Sequence, residues 1–281
     1  MEGIQHFILT RFNVRIFTQD KNGKAVRTAE WLKHRFEVFE RYCLPSIAGQ
    51  TCKDFEWIVL FDSETPGEYK ERISGYQAVC PQFVPVFVEP DKGKYFRQFF
   101  RAAVVDRIKA DRVLTTYLDN DDALSLSFVE DIRKRASNLL DGTFIFYTSG
   151  FQYFKEFGLM LRVHYRRNHF VSVIEAGLPA TLKTIYGYGS HYYIDRIPGA
   201  QIEYIEDCPL WCEMIHERNM GNDAHFLLGI KPVRDSQTLR REFGVDEDNK
   251  YSVSLLAFRF APRYLKTFIW RVKCRLFGRK W

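Results

Sequence analysis

Four short apolar runs, alternating with helix-patterned stretches, constrain this chain more than any other feature. The runs are Gln5–Thr10 (QHFILT), Phe55–Phe61 (FEWIVLF), Phe83–Val88 and Arg112–Leu118. Each has the length of a strand, and the second is almost unbroken in its hydrophobicity, as a strand buried on both faces must be. After the first run, Leu32, Phe36, Phe39 and Cys43 fall on one face of a helix predicted over Trp31–Cys43, which Pro45 then breaks. Thr65-Pro66-Gly67-Glu68 has a capping-box pattern with proline at the first helical position. Tyr95–Lys109 carries Phe96, Phe99, Phe100, Ala103 and Ile108 on or near one face, and Ser127-Phe128-Val129-Glu130 is a second capping box, opening a helix to about Leu140. Strand and helix alternating from residue 5 to residue 140 predict βαβ units and a mostly parallel sheet. Such sheets collect ligands beyond the carboxyl ends of their strands.

The second half changes character. Phe144–Phe154, Leu159–Tyr165 and Phe170–Ile174 read as strands without long helices between them, predicting a mixed sheet edge rich in tyrosine and phenylalanine. No linker separates the halves, so residues 1–262 read as one α/β domain, with its division near residue 125, followed by a tail over 263–281. Seven of the basic residues and none of the acidic ones lie in that tail, so the net charge of +6 leaves the body close to neutral. A nucleic-acid-binding body would show a basic face of its own, and that class is disfavoured. The tail interleaves its charges with a helical stripe of Leu265, Phe268, Ile269, Val272 and Leu276, a mixture that suits an anionic leaflet, where each basic residue contributes about 1 kcal/mol. A final helix packed on the domain is the plainer alternative.

The N-terminus lacks the basic start and apolar run of a signal peptide, and no apolar run reaches about 18 residues, so a cytoplasmic protein, peripheral at the inner face of the plasma membrane, is expected. The six cysteines are scattered without a CxxC pair and read as reduced, mostly buried thiols. Cys208, Cys212 and His216 fall at successive i, i+4 steps, a spacing that would suit zinc on a helix, but no fourth ligand is apparent.

Two of the predicted strand ends carry acids: Asp62 after FEWIVLF, and the run Asp119-Asn120-Asp121-Asp122 after Tyr117-Leu118. In a turn after a strand, Asp119 and Asp121 can converge on one side. Hard oxygen ligands of this kind suit Mg²⁺ or Mn²⁺, which bridges a diphosphate and neutralises charge on it as it leaves. Acids after a strand also cap the next helix, so the run alone does not decide. Asp62 is placed to accept from a nucleobase or a ribose hydroxyl, or is simply a turn acid. Arg97 and Arg101 lie one turn apart, where either can reach a phosphate with a forked guanidinium or make a surface ion pair.

In order, ILTRFN (Ile8–Asn13), WIVLFD (Trp57–Asp62), Arg101 and YLDNDD (Tyr117–Asp122) resemble the nucleotide half of the GT-A glycosyltransferases. More narrowly, CLPSIAGQ (Cys43–Gln50), FEWIVLFD, LDNDDAL and PLWCEMIHERNMGN (Pro209–Asn222) are similar to a bacterial family named for rhamnosyl transfer, over about residues 4–225. The resemblance implies a GT-A fold, Rossmann-like, with a nucleotide half over about 1–125 and an acceptor half over about 126–262. It implies a metal-dependent enzyme moving a sugar from a nucleoside diphosphate to a saccharide hydroxyl in cell-envelope polysaccharide synthesis, with inversion. It places Thr10, Arg11, Asn13 and Asp62 at the nucleoside, Arg97 or Arg101 at the phosphates, and Asp119, Asp121 and a late histidine, His216, at the metal, with Asp122 close by. Glu213 is the implied general base, with Asp207 and His191 as rivals. Trp211 is a candidate to stack on a sugar face. Tyr147, Phe151, Tyr153, Tyr186, Tyr188, Tyr192 and Tyr193 are candidates for an acceptor cleft, or are strand core. The acceptor would be a saccharide, free or lipid-linked, and a lipid-linked one gives a membrane-seeking tail a purpose.

Two rival functions keep the same residues. A nucleotidyltransferase acting on a sugar phosphate also uses a parallel sheet and acidic metal ligands, but a glycine-rich loop follows its first strand, where this chain has Thr10-Arg11-Phe12-Asn13. A non-catalytic saccharide- or membrane-binding module would use the acids only as caps.

Overall fold

A computed structural model describes residues 3–20, 23, 25–219 and 231–255 and, beyond those, only 261, 265, 266, 268, 269, 272 and 273. The chain begins with β1 (Ile4–Arg11) and α1 (Ala29–Val38). A π-helical turn over Phe39–Cys43 follows and passes directly into α2 (Leu44–Ala48). Pro45 therefore does not break the helix as the sequence predicts. It sits in the first turn of α2, and the wider i→i+5 turn before it removes the carbonyl clash a proline makes in an α-helix.

The alternation then runs as expected through β2 (Glu56–Asp62), α3 (Gly67–Val79), β3 (Phe83–Val88), α4 (Phe96–Val105) and β4 (Arg112–Tyr117). After β4 come the two-residue β5 (Ala123–Leu124) and α5 (Phe128–Ala136). Neither predicted capping box forms. The Thr65 hydroxyl accepts from Asn13 Nδ2 and donates to the Asp62 carbonyl, and Ser127 makes no cap bond; α5 stops at Ala136, short of Leu140. The predicted strand 144–154 is two strands, β6 (Thr143–Tyr147) and β7 (Ser149–Phe154), parted at Thr148, where the chain leaves one sheet for another. β8 (Leu159–His164), β9 (Val171–Ala176), β10 (Gln201–Ile205), β11 (Trp211–Ile215), β12 (Lys231–Pro232), α6 (Thr238–Phe243) and α7 (Val253–Leu255) complete the described strands and α-helices, and short 3-10 turns cover Pro90–Tyr95, Ile185–Tyr188 and His191–Arg196.

The central sheet has seven strands in the order β10-β6-β9-β4-β1-β2-β3. Only β9 runs against its neighbours, pairing antiparallel with both β4 and β6. The sheet is mostly parallel, as the alternation predicts, but its one reversed strand lies inside it and not at the mixed edge that the sequence predicts. Its two faces bury separate clusters, one around Phe36, Trp57 and Phe128 and one around Phe7, Phe100 and Val173. A second sheet, β12-β8-β7-β11-β5, packs Tyr153, Met160 and Met214 against Tyr42 and Phe243. β5 pairs with β11, so the turn after β4 is tied to the late strand that carries Glu213.

Because Trp211–Ile215 is a strand, Cys208, Cys212 and His216 are spread along an extended chain at about 3.3 Å per residue and cannot share a zinc ion. The five described cysteines are all unpaired. No described helix is long and apolar enough to cross a membrane.

Candidate active site

β1 and β4 lie side by side at the middle of the sheet, and their carboxyl ends open on a cleft of about 560 Å³. It is lined by Arg11 at the end of β1 and Asn13 just beyond it, by Trp31 and Arg35 on α1, by Asp119, Asn120 and Asp121 of the acidic turn, and by His169, His191, Tyr192 and Glu213. The acidic turn is held by one bond to the residue just after β1 and by one within itself. Asn120 Nδ2 donates to the Phe12 carbonyl at 3.0 Å, and the Asp122 amide donates to the Asp119 carbonyl at 3.3 Å.

Each acid of the run meets a different partner. Asp119 is the one most open to solvent, with a side chain 27% exposed. It accepts from Tyr117 Oη at 2.9 Å and lies 3.5 Å from Arg11 Nη2. Asp121 is buried, and Arg35 Nη1 at 2.7 Å, His216 Nε2 at 3.0 Å and Asn219 Nδ2 at 3.3 Å all point at its Oδ2. Burial opposes ionisation of Asp121, but Arg35 and then His216 outweigh it and hold the carboxyl below the usual carboxylate range. Asp122 is fully buried; its Oδ1 accepts from the Met214 amide at 2.8 Å and its Oδ2 lies 2.7 Å from His169 Nε2. Burial pushes the Asp122 carboxyl up. Burial also works against a charged His169, but the bond to Asp122 outweighs it and raises the imidazole.

The metal set implied by the resemblance is thus divided. Asp119 groups with Asp122 and His169, whose donor atoms lie within 4.8 Å of one another, whereas Asp121 and His216 are engaged with each other and with Arg35. Two carboxylates and an imidazole make a donor set that fits Mn²⁺ better than Mg²⁺, which prefers oxygen alone. A second grouping, His34, His216 and Glu217, lies behind Asp121. His216 Nδ1 there accepts the Arg218 amide at 3.2 Å while Nε2 faces Asp121, so both of its ring nitrogens are engaged.

Among the other predicted residues, Arg11 and Asn13 line the cleft. The Arg11 guanidinium packs between the rings of Phe96, Tyr117 and Tyr186, at 5.2, 5.5 and 5.3 Å from their centroids. Asp62 is turned aside: its Oδ2 accepts from Arg15 Nε at 2.6 Å and its amide donates to Asn13 Oδ1 at 2.9 Å, so it reaches the cleft only through Asn13. His191 and Glu213 both line the cleft, and Glu213 Oε2 accepts from Gln152 Nε2 at 2.6 Å.

Five candidates are not where the sequence reading put them. Thr10 points to the opposite face of β1 from Arg11, because strand side chains alternate, and its buried hydroxyl accepts from Trp57 Nε1 at 2.9 Å. Trp211 is fully buried, stacked on Phe170 at 4.8 Å with Nε1 donating to the Tyr147 carbonyl, and has no face left for a sugar. Arg97 and Arg101 lie on the outer face of α4, where their Nε atoms donate to the carbonyls of Tyr186 and Leu182 and tie down the segment after β9. Asp207 is exposed in the β10–β11 loop, away from the cleft. Of the seven aromatic candidates, only Tyr192 lines the cleft; Tyr147, Phe151, Tyr153 and Tyr186 are core.

The sequence reading missed Arg35, His169 and Trp31. An arginine between Leu32, Phe36 and Phe39 on the buried stripe of a helix was the available signal, since a buried charge needs a partner. His169 carried no such signal, as its partner is 47 residues away.

The sequence model of a family described as "Putative rhamnosyl transferase" matches residues 6–224. No curated protein matches the chain. Among solved structures, S. aureus TarS is similar at TM-score 0.40 and 11% identity, over 76% of this chain and 37% of TarS. TarS 1–349 in complex with UDP matches at TM-score 0.40 and 11% identity, over 76% of this chain and 60% of the other. A putative nucleotide-diphospho-sugar transferase from Desulfovibrio desulfuricans G20 matches at TM-score 0.36 and 9% identity, over 78% and 84% of the two chains. At such scores the structural likeness is loose, and the family match alone carries the assignment. Since that match runs over most of the chain, the protein belongs to the putative rhamnosyl transferase family.

Proposed function

We propose that this protein transfers a sugar from a nucleoside diphosphate to a saccharide hydroxyl, with inversion, in the synthesis of a cell-envelope polysaccharide. The observation that carries the reading is that Asp119, open to the cleft and backed by the Asp122–His169 pair, lines the same cavity as Glu213. Asp119, Asp122 and His169 would hold Mn²⁺, which when bound neutralises charge developing on the departing diphosphate. Arg11, fixed among three rings, adds a cation beside Asp119. Glu213 takes the proton from the acceptor hydroxyl; the freed oxygen bonds to the anomeric carbon from the face opposite the diphosphate, and the bond to the diphosphate breaks with its electron pair leaving on the nucleotide. Gln152 orients the Glu213 carboxylate for that step. Asn13 and, through it, Asp62 are the proposed nucleoside contacts.

A specific observation supports membrane docking. The described apolar positions of the tail, Leu265, Phe268, Ile269 and Val272, are 41–58% exposed rather than packed on the domain. With seven basic and no acidic residues over 263–281, that stripe suits an anionic leaflet and a lipid-linked acceptor.

The test is release of free nucleoside diphosphate from a sugar nucleotide in the presence of Mn²⁺. Asp119→Ala is expected to lower that rate by about 100-fold or more, the scale of losing a main electrostatic stabiliser of the leaving group. Undiminished turnover would remove Asp119 from the site. Pyrophosphate as the product would favour a nucleotidyltransferase.

A further inference from the structure

We infer that the Trp31 Nε1–H and the Arg35 Nε–H form a subsite that grips hydroxyl groups of the sugar being transferred; the inference rests on the sugar-nucleotide reading of the cleft. The two residues stand one turn apart on α1, with the Arg35 guanidinium 5.5 Å from the Trp31 ring. They are 7% and 6% exposed, and both line the cleft. Neither of these two N–H groups has a hydrogen-bond partner among the described residues. Buried donors are paired in the great majority of cases, so two adjacent orphans in the wall of one cavity mark a place where a ligand supplies the acceptors. Arg27, which also lines the cleft four residues before Trp31, holds φ at 69°, a left-handed backbone that a residue other than glycine adopts at a cost and that clusters at binding sites.

The chemistry selects neutral oxygens. The indole N–H is uncharged, and the Arg35 charge is balanced by Asp121 at 2.7 Å. Asp119 and Glu213 share the cavity, so a phosphate or carboxylate placed here would meet no net positive charge. Sugar hydroxyls accept without bringing charge of their own. Arg35 reaches the acidic turn through Nη1, so the subsite adjoins the proposed diphosphate end of the cleft. A diphosphate carries the transferred sugar on one side and the ribose on the other, and the subsite is assigned to the transferred sugar; comparing nucleotide with sugar nucleotide separates the two.

Trp31→Phe removes the N–H and keeps an aromatic ring. Calorimetry on the full chain with Mn²⁺ would compare dTDP with dTDP-rhamnose, and UDP with UDP-glucose. The nucleoside diphosphate that binds is expected to keep its affinity within about twofold in Trp31→Phe, while its sugar nucleotide weakens about tenfold, the usual effect of deleting one buried hydrogen bond. Sugar nucleotides lacking single hydroxyls, tested on the unaltered protein, are expected to show a matching loss at one position and no further loss in Trp31→Phe. Arg35→Lys, which keeps a charge opposite Asp121 but drops Nε, provides the same comparison if Trp31→Phe does not fold. Equal losses for nucleotide and sugar nucleotide, or no loss for either, would overturn the subsite. Failure of all four ligands to bind would overturn the sugar-nucleotide reading and the subsite with it.

Discussion

Arg35 Nη1 lies 2.7 Å from Asp121 Oδ2, and both side chains are more than nine-tenths buried, so an ion pair ties the acidic turn to α1. A buried pair adds little over an apolar one, but removing one partner strands the other charge. Arg35→Ala is expected to destabilise the protein by about 3–5 kcal/mol. The double variant Arg35→Met/Asp121→Leu should be much less costly. Urea unfolding of the three variants checks this. A loss for Arg35→Ala no larger than for a surface arginine would mean that Asp121 is not held as an anion.

The two histidines beside the acidic run separate the two metal assignments. His169→Ala is expected to weaken Mn²⁺ binding by about 10–100-fold, the usual range for disturbing a metal's immediate support. His216→Ala should leave it nearly unchanged, since Arg35 and Asn219 still hold Asp121. Paramagnetic broadening or calorimetry with Mn²⁺ reads both. The reverse ranking would place the ion at Asp121 and His216, with Arg35 swung away.

Glu213→Gln keeps the size and the contact to Gln152 but cannot take a proton. A fall in kcat of about 10²–10⁴-fold is expected, with nucleotide affinity unchanged. If kcat survives, His191, in the same cavity, is the next base to remove.

His6 provides a pH dependence far from the cleft. It is buried in β1 with Nε2 2.8 Å from Thr116 Oγ1, and burial, helped by Arg133, lowers its pKa from 6.5 to about 3. The unfolded chain therefore binds a proton that the folded one refuses between those values, and stability must fall as pH drops below about 6.5. The slope from this residue is about 1.4 kcal/mol per pH unit. His34, lowered to about 4 chiefly by burial, adds in the same direction. His6→Gln should flatten the curve of urea midpoint against pH between about 6 and 4. An unchanged slope would mean that His6 is hydrated.

Gly150 faces the Trp211 ring so closely that a Cβ there would lie 2.1 Å from it. Trp211 is locked by Phe170 and the Tyr147 carbonyl and cannot yield. Gly150→Ala is expected to cost about 3 kcal/mol or more, at the upper end of overpacking. Thermal unfolding checks it, and a shift of only a degree or two would show that the β7–β11 layer relaxes.

Much of the fold could be read along the chain. The apolar run ending at Phe61 is a strand because a near-continuous apolar run of this length between turn signals suits a strand covered on both faces, and that pattern is a property of local sequence. The acidic turn was legible from its position after another predicted strand, which puts it at the sheet's ligand-binding edge. Local rules failed where a neighbour distant in sequence supplied the deciding contact. Pro45 stayed in a helix because the preceding turn widened, and Thr65 gave its hydroxyl to Asn13 and Asp62 instead of a cap. Thr10, Trp211, Arg97 and Arg101 have the right chemistry for a nucleotide site, but strand alternation and the packing of α4 turn them elsewhere.

The sequence by itself determined the strand–helix alternation of the nucleotide half, the placing of Asp119–Asp122 at a strand end and the charge of the tail, because hydrophobic period and charge are carried by adjacent residues. Only the tertiary structure decided which acid meets which partner: Asp119 the open cleft, Asp121 Arg35 and His216, Asp122 His169. Those pairings span 47 to 95 residues, and no pattern along the chain records them. They exist because a charge buried at the end of a parallel sheet must find its counter-charge on whatever element the fold brings beside it.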